Sequence, residues 1–447
     1  MANSTPDALP QTSPFAPKPT IVIGGGFGGL RCAQELGGTG IPVILIDRRN
    51  FHLFQPLLYQ VATGMLSPAN ITSPLRRLTR FDKNVTTLMD DVTGIDVAAR
   101  TVTLRSGRVI EYGNLVVAAG AVTSYFGNNQ WAEHAIGMKS IEEATIIRAR
   151  VLSAFEKAER SYIPGQMEHP TLRFVVVGAG PTGVEMAGAI SEICHHAMAG
   201  EFRNIDPTKA EVLLIDGADR VLPPFHPTSS AAAQKQLEDI HVKVLLKAKA
   251  LDVGPGYIKI ATPEGEQTIQ SSVIIWAAGV TGAPLGAVIA KQTGVPLERG
   301  GRVRVEPDCS LANHPEIFVI GDLGHYQHGT ERPIPGVAPA AVQQGEYVAK
   351  VILARHDGEH APKPFEYHDK GSMAIIGRSL AVAEMPMPGK KSWKFSGHLA
   401  WMAWLFVHIM YLTRFQNRIL VLVQWGWQYI GKGRSARMIT SINGTDA

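Results

Sequence analysis

One hydrophobic pattern occurs twice along this chain. Thr20 to Ile23 is a short apolar run that opens directly into Gly24-Gly25-Gly26-Phe27-Gly28-Gly29. Leu30 to Leu36 then carries helical spacing, and Val43 to Ile46 is a second apolar run that ends at Asp47. Later, Phe174 to Val177 leads into Gly178-Ala179-Gly180-Pro181-Thr182-Gly183. A helix is expected from Val184 to about Met198, and then a strand from Val212 to Ile215, ending at Asp216. Short apolar runs bounded by glycine predict buried strands, and the longer spacing predicts helices. The two copies lie 154 residues apart, which marks a repeated domain and not a solenoid.

Each copy has an echo. Leu115 to Gly120 and Val273 to Gly279 are apolar strands that both end in Ala-Ala-Gly. A further strand, Ile317 to Ile320, ends in Gly321-Asp322, and a helix is expected after Pro339 to about Ala354. Arg355 to Pro364 is polar and reads as a linker. Beyond Phe365 the composition shifts, and five of the seven tryptophans follow Leu380. The predicted class is α/β with two Rossmann-like dinucleotide-binding domains, the first split by the second, and a helical carboxyl-terminal region. The expected boundaries are a disordered tail at 1–19, a split first domain at 20–125 and 290–355, a connecting segment at 126–168, the inserted domain at 169–289, and a carboxyl-terminal region at 356–447.

Composition narrows the chemistry. The chain has 447 residues, 45% hydrophobic and 18% charged, enough for two or three packed domains. The formal charge of +4 is small for this length, so no nucleic-acid partner is expected. The three cysteines, Cys32, Cys194 and Cys309, are far apart, which excludes a disulfide framework, adjacent-dithiol chemistry and a four-cysteine zinc site. No metal is expected. His195 and His196 are helix neighbours, and neighbours on a helix point apart. The five prolines of residues 1–19 give no apolar leader, and no arginine-rich transit pattern precedes the first strand.

The glycine turns carry the first functional signal. In such a fingerprint the first Gly makes the turn, the second lets the backbone approach a pyrophosphate, and the third lets helix pack on strand. The helix amino end then faces phosphate with partial positive charge. The motif alone is weak, but here each copy sits between a strand and a helix. Asp47 lies 18 residues after Gly29, where an acid bonds a ribose hydroxyl. Asp216 lies 33 residues after Gly183, at the end of its own strand. An acid there repels a 2′-phosphate, so NADH is expected over NADPH.

The split arrangement resembles the pyridine nucleotide-disulfide oxidoreductase superfamily, and the resemblance implies FAD in the first domain and NADH in the second. The segment Phe51 to Gly64, FHLFQPLLYQVATG, is similar to the flavin-side segment of type II NADH:quinone oxidoreductases. So are Pro181-Thr182-Gly183-Val184-Glu185, Ala338 to Gly345 and Asp369 to Arg378. The match runs from about Thr20 to Ile439. It implies non-covalent FAD held by Gly24, Gly26, Phe27, Gly29, Asp47, Arg48, Gln60, Val92, Ala119, Gly120, Gly321 and Asp322. It implies NADH at Gly178, Gly180, Gly183, Asp216, Ala278 and Gly279. Glu185 is placed beside nicotinamide and flavin, Gln343 and Gln344 at the quinone pocket, and Lys370 as a further candidate. The implied activity passes a hydride from NADH to FAD, then two electrons and two protons to ubiquinone or menaquinone, without proton pumping. Sulfide:quinone oxidoreductases share the fold but use a cysteine pair, whereas here the second fingerprint is intact and each cysteine reads as a small core residue.

The last region reads as an anchor. Leu399 to Leu412 is LAWMAWLFVHIMYL, too short to span a bilayer. A second apolar run, Ile419 to Trp427, follows Arg414 and Arg418. Lys390, Lys391 and Lys394 precede the runs, and Lys432, Arg434 and Arg437 follow them. Tryptophans, Tyr429 and flanking cations suit two helices lying in a bilayer interface. A homodimer through the same region is compatible. The expected location is peripheral, on the cytoplasmic face of a cell's inner membrane. A soluble flavin reductase and a redox-sensing protein are the alternatives that lack this anchor.

Overall fold

The computed structural model describes residues 18–161, 172–360, 362–387, 392–431 and 436–439. The tail expected at 1–19 lies outside these residues up to position 17, as do Lys390, Lys391, Lys432 and Arg434 of the expected basic flanks. The chain forms two compact units. Among the described residues the first spans 18–52, 74–121 and 282–368, and the second 53–73, 122–281 and 369–439.

The first unit is built on a six-stranded sheet. Its order is Ser310–Leu311, His314–Val319, Asn114–Val117, Thr20–Ile23, Val43–Asp47 and Val85–Met89. All neighbours are parallel except the first pair. Thr20–Ile23 is fully buried because both faces of a parallel sheet are covered, which is why its sequence is continuously apolar and not alternating. The helix Phe27–Glu35 follows the glycine turn and packs against Ala338–Asp357. The latter helix runs three residues further than expected, taking Arg355 to Asp357 from the presumed linker. Gly358, at φ 71°, ends it in the left-handed conformation.

The second unit repeats the device on a five-stranded parallel sheet. Its order is Ala135–Gly137, Val273–Trp276, Arg173–Val177, Glu211–Ile215 and Val242–Leu245. The expected connecting segment contains a regular helix, Ile141–Arg160. Ser140 and Glu143 close a reciprocal capping box at its start, and Lys157 and Arg160 sit in its last turn. The second fingerprint helix is Pro181–Glu192. It starts earlier than expected because proline suits the first helical position, and it passes at Ile193–Ala197 into a turn of π-helix. A hairpin of Ser372–Gly377 and Leu380–Pro386, extended by Ser392–Ser396, belongs to the same unit.

Two carboxyl-terminal helices, His398–Tyr411 and Phe415–Gly431, complete this unit. Trp404, Val421 and Trp425 are buried. Trp425 donates its indole N–H to Gln60 Oε1 at 2.7 Å, and Asn417 Nδ2 donates to Thr72 O at 3.2 Å. The segment 53–73 and the carboxyl-terminal region, expected apart from the inserted domain, therefore share its unit. No helix among the described residues is long and apolar enough to cross a membrane.

Candidate functional site

The two glycine turns are superimposable in their chemistry. In the first, Gly24 has φ +101°, and a Cβ on Gly29 would stand 1.9 Å from Gly24 O. In the second, Gly178 has φ +106°, and a Cβ on Gly183 would stand 1.7 Å from Gly178 O. The third glycine of each motif is thus required by backbone contact. Around Gly26 and Gly180 a Cβ would meet nothing within 4 Å. Each of these two residues caps its helix with no side-chain bond, so the amide N–H groups of the first turn are open to a phosphate.

Each acid is held in the same way. Asp47 Oδ2 accepts from Gly25 N at 2.6 Å and its Oδ1 from Arg49 N at 2.7 Å. Asp216 Oδ2 accepts from Ala179 N at 2.5 Å and its Oδ1 from Ala218 N at 2.7 Å. Both carboxylates are fixed beside their glycine turns and keep lone pairs for a ribose. The donor set fits a dinucleotide at each turn.

The first unit holds most of the flavin-side candidates. Phe27 meets His52 edge to face at 5.0 Å. His52 Nδ1 lies 2.9 Å from Gly25 O, so that nitrogen carries the proton, and burial lowers the affinity of the ring for a second one. Its Nε2 is then a buried acceptor with no partner among the described residues, a demand that a nucleotide hydroxyl can meet. Arg48 is exposed next to Asp47, and Val92 opens a strand of a three-stranded antiparallel sheet. Gly120 and Gly321 take φ of +70° and +69° with open space or a single methyl beside them. Asp322 follows Gly321 in a short 3-10 turn.

Gln344 is buried and its Oε1 accepts from Gly321 N at 2.8 Å, while its Nε2 faces Cys309 Sγ at 3.9 Å. Gln343 bonds the backbone of His368 with both ends of its amide, at 3.0 and 2.9 Å. Both amides are thus engaged within the protein. Lys370 stands exposed in the turn between Asp369 and Gly371, the arrangement of a solvated turn lysine.

Gln60 is in the second unit, where it lines a cleft of about 750 Å³, counting the part open to solvent. Its amide is spent on Tyr59 Oη and on Trp425. Glu185, Arg378, Trp401, Trp404 and Gln428 also line this cleft. Ala278 and Gly279 follow the Val273–Trp276 strand, and Gly279 at φ +75° lies against the Phe126 ring. Glu185 follows Gly183 on the fingerprint helix. Burial pushes its carboxyl up to about 8, against the pull of a bond from the Ile375 backbone.

Sequence reasoning missed three features here. A Cβ on Gly188 would stand 1.8 Å from Ile376 O, so this glycine lets the hairpin strand approach the helix and reach Glu185. Trp404 Nε1 and Gln428 Oε1 are a buried donor and a buried acceptor without partners among the described residues. The only hint of Gly188 in sequence was the run of small residues around it, and the two orphaned atoms had none.

A family model described as pyridine nucleotide-disulphide oxidoreductase matches residues 18–345, and one described as the NDH2 C-terminal domain matches residues 369–434. The type II NADH:quinone oxidoreductase NdhA of Mycobacterium tuberculosis is 44% identical over 94% of this chain and 89% of its own. The chain belongs to the type II NADH:quinone oxidoreductases. A second such enzyme of that organism, Ndh, is 43% identical over 96% of this chain and 93% of its own. Among solved structures, NDH2 from Plasmodium falciparum in complex with NADH superposes with a TM-score of 0.85 at 20% identity, over 94% of this chain and 99% of that one. A sulfide:quinone oxidoreductase from Aquifex aeolicus shares the fold, at a TM-score of 0.70 and 18% identity over 90% and 91% of the two chains. Within the type II family fold, Cys194 and Cys309 are buried, one in each unit, and burial raises the Cys309 thiol. A neutral, buried thiol is a poor nucleophile.

Proposed function

We propose that this chain is an NADH:quinone oxidoreductase: it moves a hydride from NADH to FAD and then delivers two electrons and two protons to a membrane quinone, without pumping protons. The observation that carries this reading is the duplicated, acid-clamped glycine turn in a chain 44% identical to an enzyme of that activity. FAD supplies the two-electron chemistry that a protein side chain lacks. The protein binds, orients and separates the reactants. Gly24, Gly26, Phe27, Gly29, Asp47, Arg48, Val92, Ala119, Gly120, Gly321 and Asp322 hold FAD, whereas Gln60, expected with them, belongs to the second unit and spends its amide on Tyr59 and Trp425. Gly178, Gly180, Gly183, Asp216, Ala278 and Gly279 hold NADH, and Asp216 selects against a 2′-phosphate.

The quinone head group is assigned to the cleft of the second unit. Its aromatic walls suit a flat ring, and Trp404 Nε1 offers a donor to a quinone oxygen, whereas Gln428 Oε1 offers an acceptor to a hydroxyl of the quinol. Gln343 and Gln344, implied at the quinone pocket by their motif, lie in the first unit and do not line this cleft, and Gln344 acts as a clamp on Gly321.

Lipid contact is assigned to the two carboxyl-terminal helices. Leu399, Met402, Phe406 and Met410 are exposed along one helix, and Phe415, Ile419, Leu422 and Val423 along the other. Phe406 is 68% and Trp427 78% exposed, in helices whose opposite faces are buried. An apolar face of this extent calls for a cover, and an interfacial position on the cytoplasmic face of the membrane supplies one where a lipid-dissolved quinone is reached. Pairing of two copies through this region is compatible with that position.

The test is NADH oxidation by protein added to vesicles that contain quinone. Turnover that needs both quinone and vesicles supports the reading. Equal turnover with oxygen alone in free solution supports a soluble reductase instead.

A further inference from the structure

The helix Ile141–Arg160 buries one stripe, and that stripe contains a cation. Ala144, Ile147, Val151, Leu152 and Phe155 lie on it at helical spacing, and Arg148 lies among them with 7% of its surface exposed. An arginine keeps its charge inside a protein, so a buried one calls for an acid or a set of acceptors. Among the described residues Arg148 has no acid: burial alone lowers its guanidinium from the ordinary arginine value, with no charged neighbour to oppose it, and its Nε is buried without a partner. The adjoining backbone is already engaged. At the end of the helix Leu58–Ala62, Tyr59 O accepts from Thr63 N, Gln60 O from Met65 N, Val61 O from Gly64 N, and Gly64 O from Ala436 N.

Arg148 lines a small cavity of the second unit together with Thr63, Val151, Leu152, Ile193 and Arg437. Its volume is about 220 Å³, counting the part open to solvent. Arg437, expected among the cations that flank the anchor, is held here instead by the bond of Ala436 N to Gly64 O at 3.1 Å. Its Nη1 donates to Ala197 O at 2.8 Å and pairs with Glu201 Oε2 at 2.6 Å. No acid lines the cavity among the described residues. Glu201 offsets one of the two guanidinium charges, and one positive charge is left over.

We propose that this cavity binds a short-chain monocarboxylate, with the carboxylate on Arg148 and the alkyl end among Val151, Leu152 and Ile193, and that the bound acid braces the wall of the quinone cleft. A single surplus charge matches a monoanion. A divalent phosphate would leave a negative charge uncompensated among apolar side chains, which is costly. A carboxylate is planar and takes two parallel N–H bonds from one guanidinium, a fit that a spherical halide lacks. The apolar lining favours a methyl or ethyl end over a second polar group, and the volume excludes a long chain.

The cavity and the cleft share two segments of chain. Thr63 lies between Gln60 and Met65, both of which line the cleft. Ile193 and Met198 line the cavity and bracket His196 and Ala197, which line the cleft. An acid seated on Arg148 therefore stiffens the segment that carries Gln60 and the turn that carries Ala197. The binding stands on the cavity alone, whereas its effect on the cleft rests on the quinone reading.

The test is the melting temperature of the FAD-loaded protein in formate, acetate, propionate, hexanoate, chloride and sulfate at matched ionic strength. Acetate and propionate should give a saturable rise of several degrees, as a ligand of the folded state does, and hexanoate, chloride and sulfate none. Arg148→Met should lose the rise and, relieved of a buried charge, melt no lower than the parent in chloride. Arg148→Lys keeps the charge without the planar fork, so its rise should need at least tenfold more acetate; with the parent's own series it decides the matter if Arg148→Met does not fold. Saturating acetate should lower the parent's KM for quinone about threefold and leave its rate with ferricyanide unchanged. A melting temperature that follows ionic strength alone, or that responds equally in Arg148→Met, would overturn the site, and a saturable rise with an unchanged quinone KM would overturn the bracing. Failure of the parent to react with quinone would remove the functional reading and leave the melting result standing.

Discussion

Glu185 combines a position just past a dinucleotide turn with a carboxyl held neutral at physiological pH. Its folded pKa of about 8 lies above the ordinary carboxylate value of 4.5, so between those limits the folded protein binds a proton that the unfolded chain does not. The protonated group's contribution to stability is full below pH 4.5 and is lost as pH rises through 8. The pH profile of quinone reduction should accordingly fall on the alkaline side of about 8, and Glu185→Gln should abolish that limb. The same substitution should slow flavin reduction by NADH by roughly 10²-fold, a typical acid–base contribution, with FAD retained. Stopped-flow traces identical to the parent's would remove the role. Gly188→Ala tests how the pKa is set. Displacing the hairpin lets water reach the carboxyl, and burial is the larger cause of the shift, so the alkaline limb should move lower while thermal stability drops.

The fingerprint glycines separate two functions that the motif conflates. Gly183→Ala drives a methyl into Gly178 O, and overpacking of that kind costs about 1–3 kcal/mol, visible as a lower melting temperature. Gly180→Ala meets no protein atom, so the fold should keep its melting temperature. The methyl would occupy space left for the pyrophosphate, and losing a charge-assisted hydrogen bond there should raise the KM for NADH roughly 10- to 100-fold. A lowered melting temperature with unchanged KM for Gly180→Ala would contradict the assignment.

At the scale of elements, the strands were the most legible part of the sequence. Thr20 to Ile23 was read to the residue, and the other core strands named from the sequence to within three residues at either end, because buried parallel strands are continuous apolar runs; Val85–Met89, Ala135–Gly137 and Val242–Leu245 were not read. Helix limits were less legible. The π-turn at Ile193–Ala197 leaves no mark in hydrophobic spacing, and of the two histidines it carries only His196 lines the cleft. The carboxyl-terminal helices were legible as amphiphilic but not as structural. Their buried face carries Trp404 and Trp425, so removing them would expose core and confuse anchoring with folding. Trp404→Ala should cost about 3–5 kcal/mol. Phe406→Ser and Trp427→Ser, both on the exposed face, should leave the melting temperature unchanged and weaken vesicle binding roughly 10- to 100-fold each. Undiminished sedimentation with vesicles would move the anchor elsewhere.

For the whole molecule, the duplication of the nucleotide site was open in the sequence because strand, turn, helix and acid recur in order. The partition into units was not. Segment 53–73 and the carboxyl-terminal helices join the inserted domain through bonds such as Trp425 to Gln60, between residues 365 positions apart. No local pattern encodes such a pair. The cleft that those bonds frame was hidden for the same reason, and with it the orphaned atoms of Trp404 and Gln428. The central claim is that one chain couples NADH oxidation to quinone reduction through bound FAD. Anaerobic mixing of the detergent-purified protein with NADH, followed at the flavin absorbance near ~450 nm, tests it directly. The account predicts rapid bleaching with NADH, far weaker bleaching with NADPH, and full recovery on addition of quinone. Bleaching without recovery, or the absence of flavin, would contradict it.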